Sequence, residues 1–316
     1  MISVVGAAVL GHQLAVRAPA PAVPSGDRQL VIANPYAIDG TWYIGNLHVA
    51  SARGVGKDLP SAIGGWYRDH GYAFLGISDQ NTYTWPSEFS GGHALSGVPV
   101  VEASYGFSDL LAVGVDHWFP AANLQEAIDW IARDGGLPVL AAPLSPLKPQ
   151  DQPGLLDAKR LFGLEVYDAR LAAAGPGLGD ATGLWDRLLT SGQRVFAFAG
   201  DDALGLSDPA LGRAWISVLA PASDSDSLLS SLRQGAFIAS SGAGFSGFAV
   251  AGRTITVKTD TNSTLRFIGR GGRLLQASSG PAATYHVRGD EGYVRVEAIG
   301  DDGTRAWSQP FFLSWR

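Results

Sequence analysis

The sequence predicts an α/β protein in which a large region of alternating strands and helices precedes a small antiparallel β domain. Three observations carry this prediction. Apolar runs of strand length alternate with helical patterns as far as Gly235. Beyond that residue, the predicted strands are joined by turns such as GRGG and GDDG. With 41 glycines, 18 prolines and only 16% charged residues, the composition favours a loop-rich protein over a helical bundle.

Two helices give the clearest local signals. Residues 59–70 combine a candidate cap, Asp58, with apolar residues on one helical face. Residues 123–133 begin at a second candidate cap, Asn123, and Glu126 follows at the capping-box position. Further helices are predicted at 185–190 and 225–233, and strands at 43–50, 73–78, 98–102, 112–115, 137–142, 164–167, 194–199 and 215–219.

The chain is predicted to have three parts. Residues 1–26 form a leader whose apolar run, 2–10, follows no Lys or Arg, so a secretory signal and a plain leader both stay open. The run is too short to cross a bilayer as a helix. Residues 27–240 form the strand–helix region and residues 241–316 a β-sandwich. A secreted or periplasmic location and a cytoplasmic one are equally compatible with this organisation.

Composition excludes some functions. The sequence has no cysteine, so disulfides and thiolate metal sites are excluded. The net charge is −6 and no long run of Lys or Arg occurs, so nucleic acid is not an expected partner. A small molecule or a protein remains as the expected partner, and nothing in the sequence indicates an oligomeric state.

Two stretches place polar residues where strands end. WYIGNLHVA, residues 42–50, carries His48, and ISDQN, residues 77–81, carries Asp79. In a βα barrel, the carboxyl ends of neighbouring strands form the active-site face, so these side chains are expected to lie close together.

These stretches resemble the motifs W-Y-x-G-N-L-H-x-H and I-T-D-H-N of the PHP (polymerase and histidinol phosphatase) family. The resemblance is nearest to its CehA/McbA-like members, which carry a β-rich tail. It extends through the phrases LRQGAFIASSG and YVRVEAIGDDGTRAWSQPFFL to the C-terminus. It implies a distorted (β/α)7 barrel followed by a small antiparallel β-sandwich, and metal-dependent phosphoester hydrolysis as the family's chemistry.

The resemblance also implies which residues correspond to metal ligands. Family members bind two or three divalent metals with histidines and carboxylates. The retained ligand positions are His48, Asp79, Glu102 and Asp202, with Asp109 loosely aligned to another. Four histidine positions are replaced, namely by Ala50, Gln80, Ala142 and Leu204.

Replacement by alanine and leucine removes ligands, so a multinuclear cluster is not expected. The retained set could hold one hard cation such as Mg²⁺, Mn²⁺ or Ca²⁺, or it could brace the strand ends without any metal. Without metal, Arg53 or Lys57 could supply the compensating charge. His93 and His117, in loops, could complete a displaced metal site.

Three functions therefore remain. The leading hypothesis is a degenerate PHP protein, a pseudoenzyme that binds a ligand or a partner. The alternative is a metal-dependent phosphoesterase with a reduced, mono- or dinuclear site. The third is a surface or secreted interaction module in which the β-sandwich carries the function.

Overall fold

The structure is a computed structural model that describes residues 28–91, 94–105, 108–146 and 154–316. The predicted leader, 1–26, lies outside these residues. The strands are β1 (Leu30–Ala33), β2 (Thr41–Asn46), β3 (Phe74–Leu75), β4 (Ser96–Gly97), β5 (Val100–Tyr105), β6 (Ser108–Val113), β7 (Leu137–Ala141), β8 (Gly163–Asp168), β9 (Phe196–Gly200), β10 (Trp215–Ala220), β11 (Phe237–Ser240), β12 (Gly247–Ala251), β13 (Thr254–Gly269), β14 (Arg273–His286), β15 (Tyr293–Gly300), β16 (Arg305–Ser308) and β17 (Phe311–Trp315). The helices are α1 (Pro60–Asp69), α2 (Leu124–Arg133), α3 (Ala169–Ala174), α4 (Thr182–Thr190) and α5 (Ser225–Gln234).

The helices begin mostly where the sequence predicts. Asn123 caps α2 by accepting a hydrogen bond from the backbone N–H of Glu126 at 3.0 Å. Asp58 does not cap α1; instead, its carboxylate accepts from the backbone N–H of Leu206 at 2.8 Å. Asp168 caps α3, a helix that the sequence pattern does not predict. Within the described part of the chain, no helix has the length and apolarity needed to cross a bilayer.

The strands form two sheets. The smaller sheet has the order β5-β6-β7-β8-β9, and β7, β8 and β9 are parallel. The larger sheet has the order β1-β17-β15-β16-β11-β10-β2-β3-β4, and β13 attaches β12 and β14 to β15. Between the sheets lies an apolar core that includes Val139, Phe198, Ile216 and Val218. Helix α2 buries Ile131, and helix α4 buries Leu188, in the core on the other side of the smaller sheet.

This arrangement is mixed α/β, as predicted, but the predicted (β/α)7 barrel is not confirmed. Among the described residues, the strand hydrogen bonds do not close into a ring. Only isolated bridges join the two sheets, pairing Gln80 with Glu102 and Val49 with Ala203. The short strands β3 and β4, with two residues each, leave little ladder to continue a barrel.

A separate C-terminal sandwich is not confirmed either. Strand β16 pairs with β11, so the tail continues the larger sheet instead of facing it as an independent unit. Gln309 adds a second link, because its side-chain amide donates to the carbonyl of Ala197 and accepts from its N–H, both at 2.8 Å. The division at residue 240 stays a prediction.

A buried arginine joins the tail to α4. Arg295 is 2% exposed and makes two hydrogen bonds to Asp186, at 2.9 and 2.7 Å, and one to Glu297 at 2.7 Å. Its guanidinium also lies 4.8 Å from the ring centre of Trp185. Both carboxylates are buried. Among the described residues Asp186 pairs with Arg295 alone, whereas Arg305 and Arg266 also approach Glu297, at 3.3 and 3.4 Å.

We therefore expect Arg295→Leu to lower the free energy of unfolding by about 3–5 kcal/mol, because it leaves the buried carboxylate of Asp186 without its cation. The matched control is Arg266→Leu, since Arg266 is 38% exposed and only 3.4 Å from the same Glu297. The control substitution should lower the free energy of unfolding by at most about 1 kcal/mol. Urea unfolding measures both, and equal losses in the two variants would contradict the account.

Candidate functional site

The candidate site lies where the two sheets meet. One isolated bridge joins Val49, just after β2, to Ala203, just after β9. The other joins Gln80 to Glu102 on β5. Strand ends from both sheets therefore converge at one place, and His48 occupies the centre of the group of polar side chains found there.

His48 is buried, at 2% exposed, and interacts with a carboxylate on each side. Its Nδ1 lies 2.9 and 3.0 Å from the two carboxylate oxygens of Glu165 on β8. Its Nε2 lies 3.3 Å from Asp202 Oδ1 and 3.9 Å from Glu102 Oε2. Neither approach has the geometry of a hydrogen bond, so Nε2 has no hydrogen-bond partner among the described residues.

Glu165 is held in place by its neighbours. It is 1% exposed, and its Oε2 accepts a hydrogen bond from the backbone N–H of Ala142 at 2.9 Å. Gly200, at the end of β9, leaves the space that the pair needs, because a Cβ there would lie 2.6 Å from Glu165 Oε1 and 2.7 Å from His48 Cβ. A glycine is therefore required at this close approach.

Asp202 forms an ion pair with Arg170 on α3. The guanidinium Nη2 donates to Asp202 Oδ2 at 2.5 Å, and Nε donates to the backbone carbonyl of Asp202 at 2.8 Å. The backbone N–H of Arg170 also donates to the carbonyl of Asp201 at 3.2 Å. Three contacts therefore fix this arginine against the turn after β9.

Asp168, at the start of α3, completes the group. One of its oxygens accepts from the backbone N–H of Leu171 at 2.8 Å, while Oδ2 is buried with no hydrogen-bond partner in the described segments. Ligand atoms of His48, Glu165 and Asp168 lie within 4.8 Å of one another, so these three residues could hold a metal ion.

The charges of this cluster largely balance within the protein. Burial alone lowers the pKa of His48, but the negative charges of Glu165 and Asp202 outweigh it and raise that pKa well above its usual range. Burial raises the pKa of Asp168 to about 8, and nearby Asp202 and Glu165 add to the effect. Both shifts favour a positively charged His48 and a neutral Asp168, and Arg170 supplies a second positive charge.

Glu102 lies at the edge of the cluster. Burial raises the pKa of its carboxyl group, and the positive charge of His48 offsets part of that effect. The side-chain amide of Gln80 donates a hydrogen bond to Ser104 Oγ at 2.6 Å. Ser104 in turn donates to Asp109 Oδ1 at 2.6 Å. Gln80 and Asp109 thus belong to a short polar chain beside Glu102.

Asp79 is engaged with other protein groups. It is fully buried and accepts hydrogen bonds from the backbone N–H and the hydroxyl of Ser51, both at 2.6 Å, and from Thr84 Oγ1 at 2.5 Å. These three donors leave little acceptor capacity for a cation. The geometry is that of a brace between the loop after β2 and the turn after β3.

The structure thus brings His48, Glu102 and Asp202 together, while Asp79 is occupied elsewhere. Whether these four residues bind metal stays a prediction. Sequence reasoning missed Glu165, Asp168 and Arg170, which share the segment LEVYDAR, residues 164–170. The signal available there was a buried acid inside an apolar strand, since an ionised carboxylate in such a position needs a partner.

The other expected contributors lie outside the cluster. Arg53 pairs at the surface with Glu88, at 2.5 Å, and does not compensate the site. His117 bridges Asp116 and Asp134 at the surface, at 3.0 and 2.9 Å. His93 lies outside the described residues.

No protein-family model matches the chain, and no curated protein matches it. Solved structures do match the chain. One is a two-domain protein from Bacteroides vulgatus that contains a predicted PHP-like metal-dependent phosphoesterase. It shares 11% identity with this chain over 83% of the chain and 92% of its own length, with a TM-score of 0.51. Another, from Bifidobacterium adolescentis, is described as a candidate metal-dependent phosphoesterase. It shares 14% identity over 60% of this chain and 96% of its own length, with a TM-score of 0.42. The similarity to the Bacteroides vulgatus structure shows that the two proteins share a fold.

The role of Arg170 can be tested by removing its charge. We expect Arg170→Gln to raise the affinity for Mn²⁺ roughly tenfold, because the freed Asp202 leaves the cluster one positive charge short. Arg53→Gln is the matched control and should leave the affinity unchanged, since Arg53 pairs with Glu88 at the surface. Calorimetric Mn²⁺ titration of both variants measures the effect, and identical affinities in the two would refute it.

Proposed function

We propose that this chain is a PHP-like protein whose strand-end site is closed by its own ion pairs, and that it acts by binding a ligand or partner. In this proposal it is a pseudoenzyme, without a multinuclear metal site. The proposal includes the PHP-like barrel, the β-sandwich and the closer kinship with CehA/McbA-like members, all of which rest on the motif resemblance.

The single observation that carries the proposal is the contact between Arg170 and Asp202 at 2.5 Å. The resemblance assigns Asp202 to a metal, yet a guanidinium fixed by three contacts already holds it. A fixed cation of the protein removes much of the attraction that such carboxylates have for a metal ion.

Two further features support the same conclusion. Asp79 is occupied by Ser51 and Thr84, which removes a second assigned ligand. A metal ion at the remaining group would have to displace the protons of both His48 and Asp168, because metal ligands bind in their deprotonated forms. Together with the replaced positions Ala142 and Leu204, these features favour a site without a multinuclear cluster.

The proposal predicts an absence of site-dependent hydrolysis. With p-nitrophenyl phosphate and bis(p-nitrophenyl) phosphate, in Mn²⁺, Mg²⁺ or Zn²⁺, the native chain and Asp202→Asn should release nitrophenol equally, within about twofold. Asp157→Asn, at an exposed position outside this group, is the control for differences between protein preparations. Native activity well above that of Asp202→Asn would overturn the pseudoenzyme proposal.

A second candidate function, a phosphoester hydrolase with one divalent cation, is favoured by a different observation. Two buried ligand atoms in the cluster, His48 Nε2 and Asp168 Oδ2, have no hydrogen-bond partner in the described part of the chain. Buried polar atoms ordinarily have one. Both residues belong, with Glu165, to a group whose ligand atoms lie within 4.8 Å of one another, and nitrogen and oxygen donors of this kind suit a single divalent cation.

In that case His48, Glu165 and Asp168 would hold the ion, and Arg170 would remain on Asp202 near the phosphoryl group. The bound metal would supply Lewis-acid stabilisation of the phosphoryl oxygens and a more acidic water. The protein's own residues would orient the ligand set, since Ala142 N–H and Gly200 fix Glu165 against His48.

This second candidate predicts that Asp168→Asn weakens Mn²⁺ binding more than tenfold, because a ligand charge is lost. Asp109→Asn is the matched control, since Asp109 accepts from Ser104 and lies outside the three-residue group. Equilibrium dialysis with Mn²⁺ measures both variants. If Asp168→Asn and the native chain bind Mn²⁺ with the same affinity, the single-cation site at this group is refuted.

A further inference from the structure

A large cavity lies on the larger sheet, away from the His48 cluster. Its volume is about 740 Å³, and none of the residues lining it belongs to the candidate site described above. Its floor is formed by Trp42 and Ile44 of β2, Trp215 and Ser217 of β10, and Ile238 of β11. We call it the Trp215 cavity. Its size is that of a site for a small organic ligand.

Strand alternation explains why these side chains share one face. Ser217 lies opposite Ile44 on one side and Ile238 on the other. The intervening residues of β10, Ile216 and Val218, point to the opposite face and lie in the core between the sheets. Strands β2, β10 and β11 therefore cover the core with one face and line the cavity, with Trp42 and Trp215, on the other.

The floor carries polar groups without protein partners. Ser217 is only 8% exposed, yet its hydroxyl forms no hydrogen bond with any residue in the described ranges. The indole N–H groups of Trp42 and Trp215 likewise have no acceptor there. Because this oxygen lies at the cavity floor and is not enclosed by protein atoms, a molecule bound in the cavity can supply its hydrogen-bond partner.

The rim of the cavity is acidic. Asp260 of β13 lies on one side, and Asp301 and Asp302 lie in the turn between β15 and β16. Asp302 is fixed by Thr304, whose backbone N–H and hydroxyl donate to it at 3.0 and 2.6 Å. Among the described residues that line the cavity, there is no lysine, arginine or histidine to neutralise these carboxylates. The electrostatic field therefore favours a cation and disfavours phosphate esters and other anions.

We propose that the Trp215 cavity is a binding site for an organic ammonium ion, that is, an amine with an apolar body. The apolar body packs on Trp42 and Trp215, whose rings also attract the positive charge. The ammonium group donates to the hydroxyl of Ser217 and to the carboxylates at the rim. This site is separate from the His48 cluster and needs no metal.

The test uses the full chain, stripped of metal with EDTA and then dialysed, in isothermal titration calorimetry. The probes are spermidine and 2-phenylethylamine, which represent aliphatic and aromatic amines. Each has an uncharged counterpart of similar shape, triethylene glycol and 2-phenylethanol. We expect at least one amine to bind saturably and at least about tenfold tighter than its counterpart, and the one that binds tighter identifies the class of amine.

Variants locate the binding. Ser217→Ala should weaken amine binding by about fivefold without lowering the thermal midpoint, because its hydroxyl has no partner within the described chain to lose. Asp260→Asn combined with Asp301→Asn should weaken it by about tenfold. The matched control is Asp157→Asn combined with Asp290→Asn, two exposed positions that change the net charge equally but do not line the cavity.

The control variant should retain its affinity within about twofold, which excludes general attraction of amines to an acidic protein. The proposal is overturned if amines and uncharged counterparts bind equally, or if the two double variants behave alike. It is also overturned if no probe binds below about 10 mM. Because the protein is free of metal, none of these outcomes depends on what the His48 cluster binds.

Discussion

A continuous chain of charges, Glu165–His48–Asp202–Arg170, holds together the seam between the two sheets. Two carboxylates alternate with two cations, and the contacts run from β8 through the end of β2 to the turn after β9 and on to α3. Buried carboxylates without such partners would take up protons or destabilise the fold. In the part of the chain that the structure describes, only isolated bridges pair the strands of the two sheets at this seam, so these side-chain contacts help to set the geometry of the site.

The backbone around the site has unusual conformations that fit this interpretation. Ala142 and Asp202 both have positive φ, at 41° and 51°, although neither is glycine. Such conformations cost about 1–2 kcal/mol each and persist where the surroundings impose them. The backbone N–H of Ala142 donates a hydrogen bond to Glu165, while the alanine side chain has no atom that could bind a metal. At both turns, hydrogen bonds and ion pairs within the protein therefore hold the backbone and side chains in place.

Much of this could be predicted from the sequence, and the rest could not, for physical reasons. Apolar runs and caps locate α2 and most strands, and the motif around His48 identifies the strand end on which the site is built. The closure of a barrel depends on which strand edges meet, which periodicity does not encode. Arg170 escaped prediction because it acts on Asp202 through the fold, whereas Arg53, nearer to His48 along the chain, pairs with a surface glutamate instead. Asp79 was assigned by its motif position, but its donors, Ser51 and Thr84, decide what its oxygens can do.

The number of metal ions bound per chain tests the central claim most directly. Protein purified without chelator, after growth with Mn, Fe and Zn supplied, would be analysed by inductively coupled plasma mass spectrometry. Because Arg170 already compensates Asp202 and the side chains of Ala142 and Leu204 cannot bind a metal, we expect at most about one divalent ion per chain. Two or more tightly held ions per chain would show that other residues complete a multinuclear cluster, and would contradict the account.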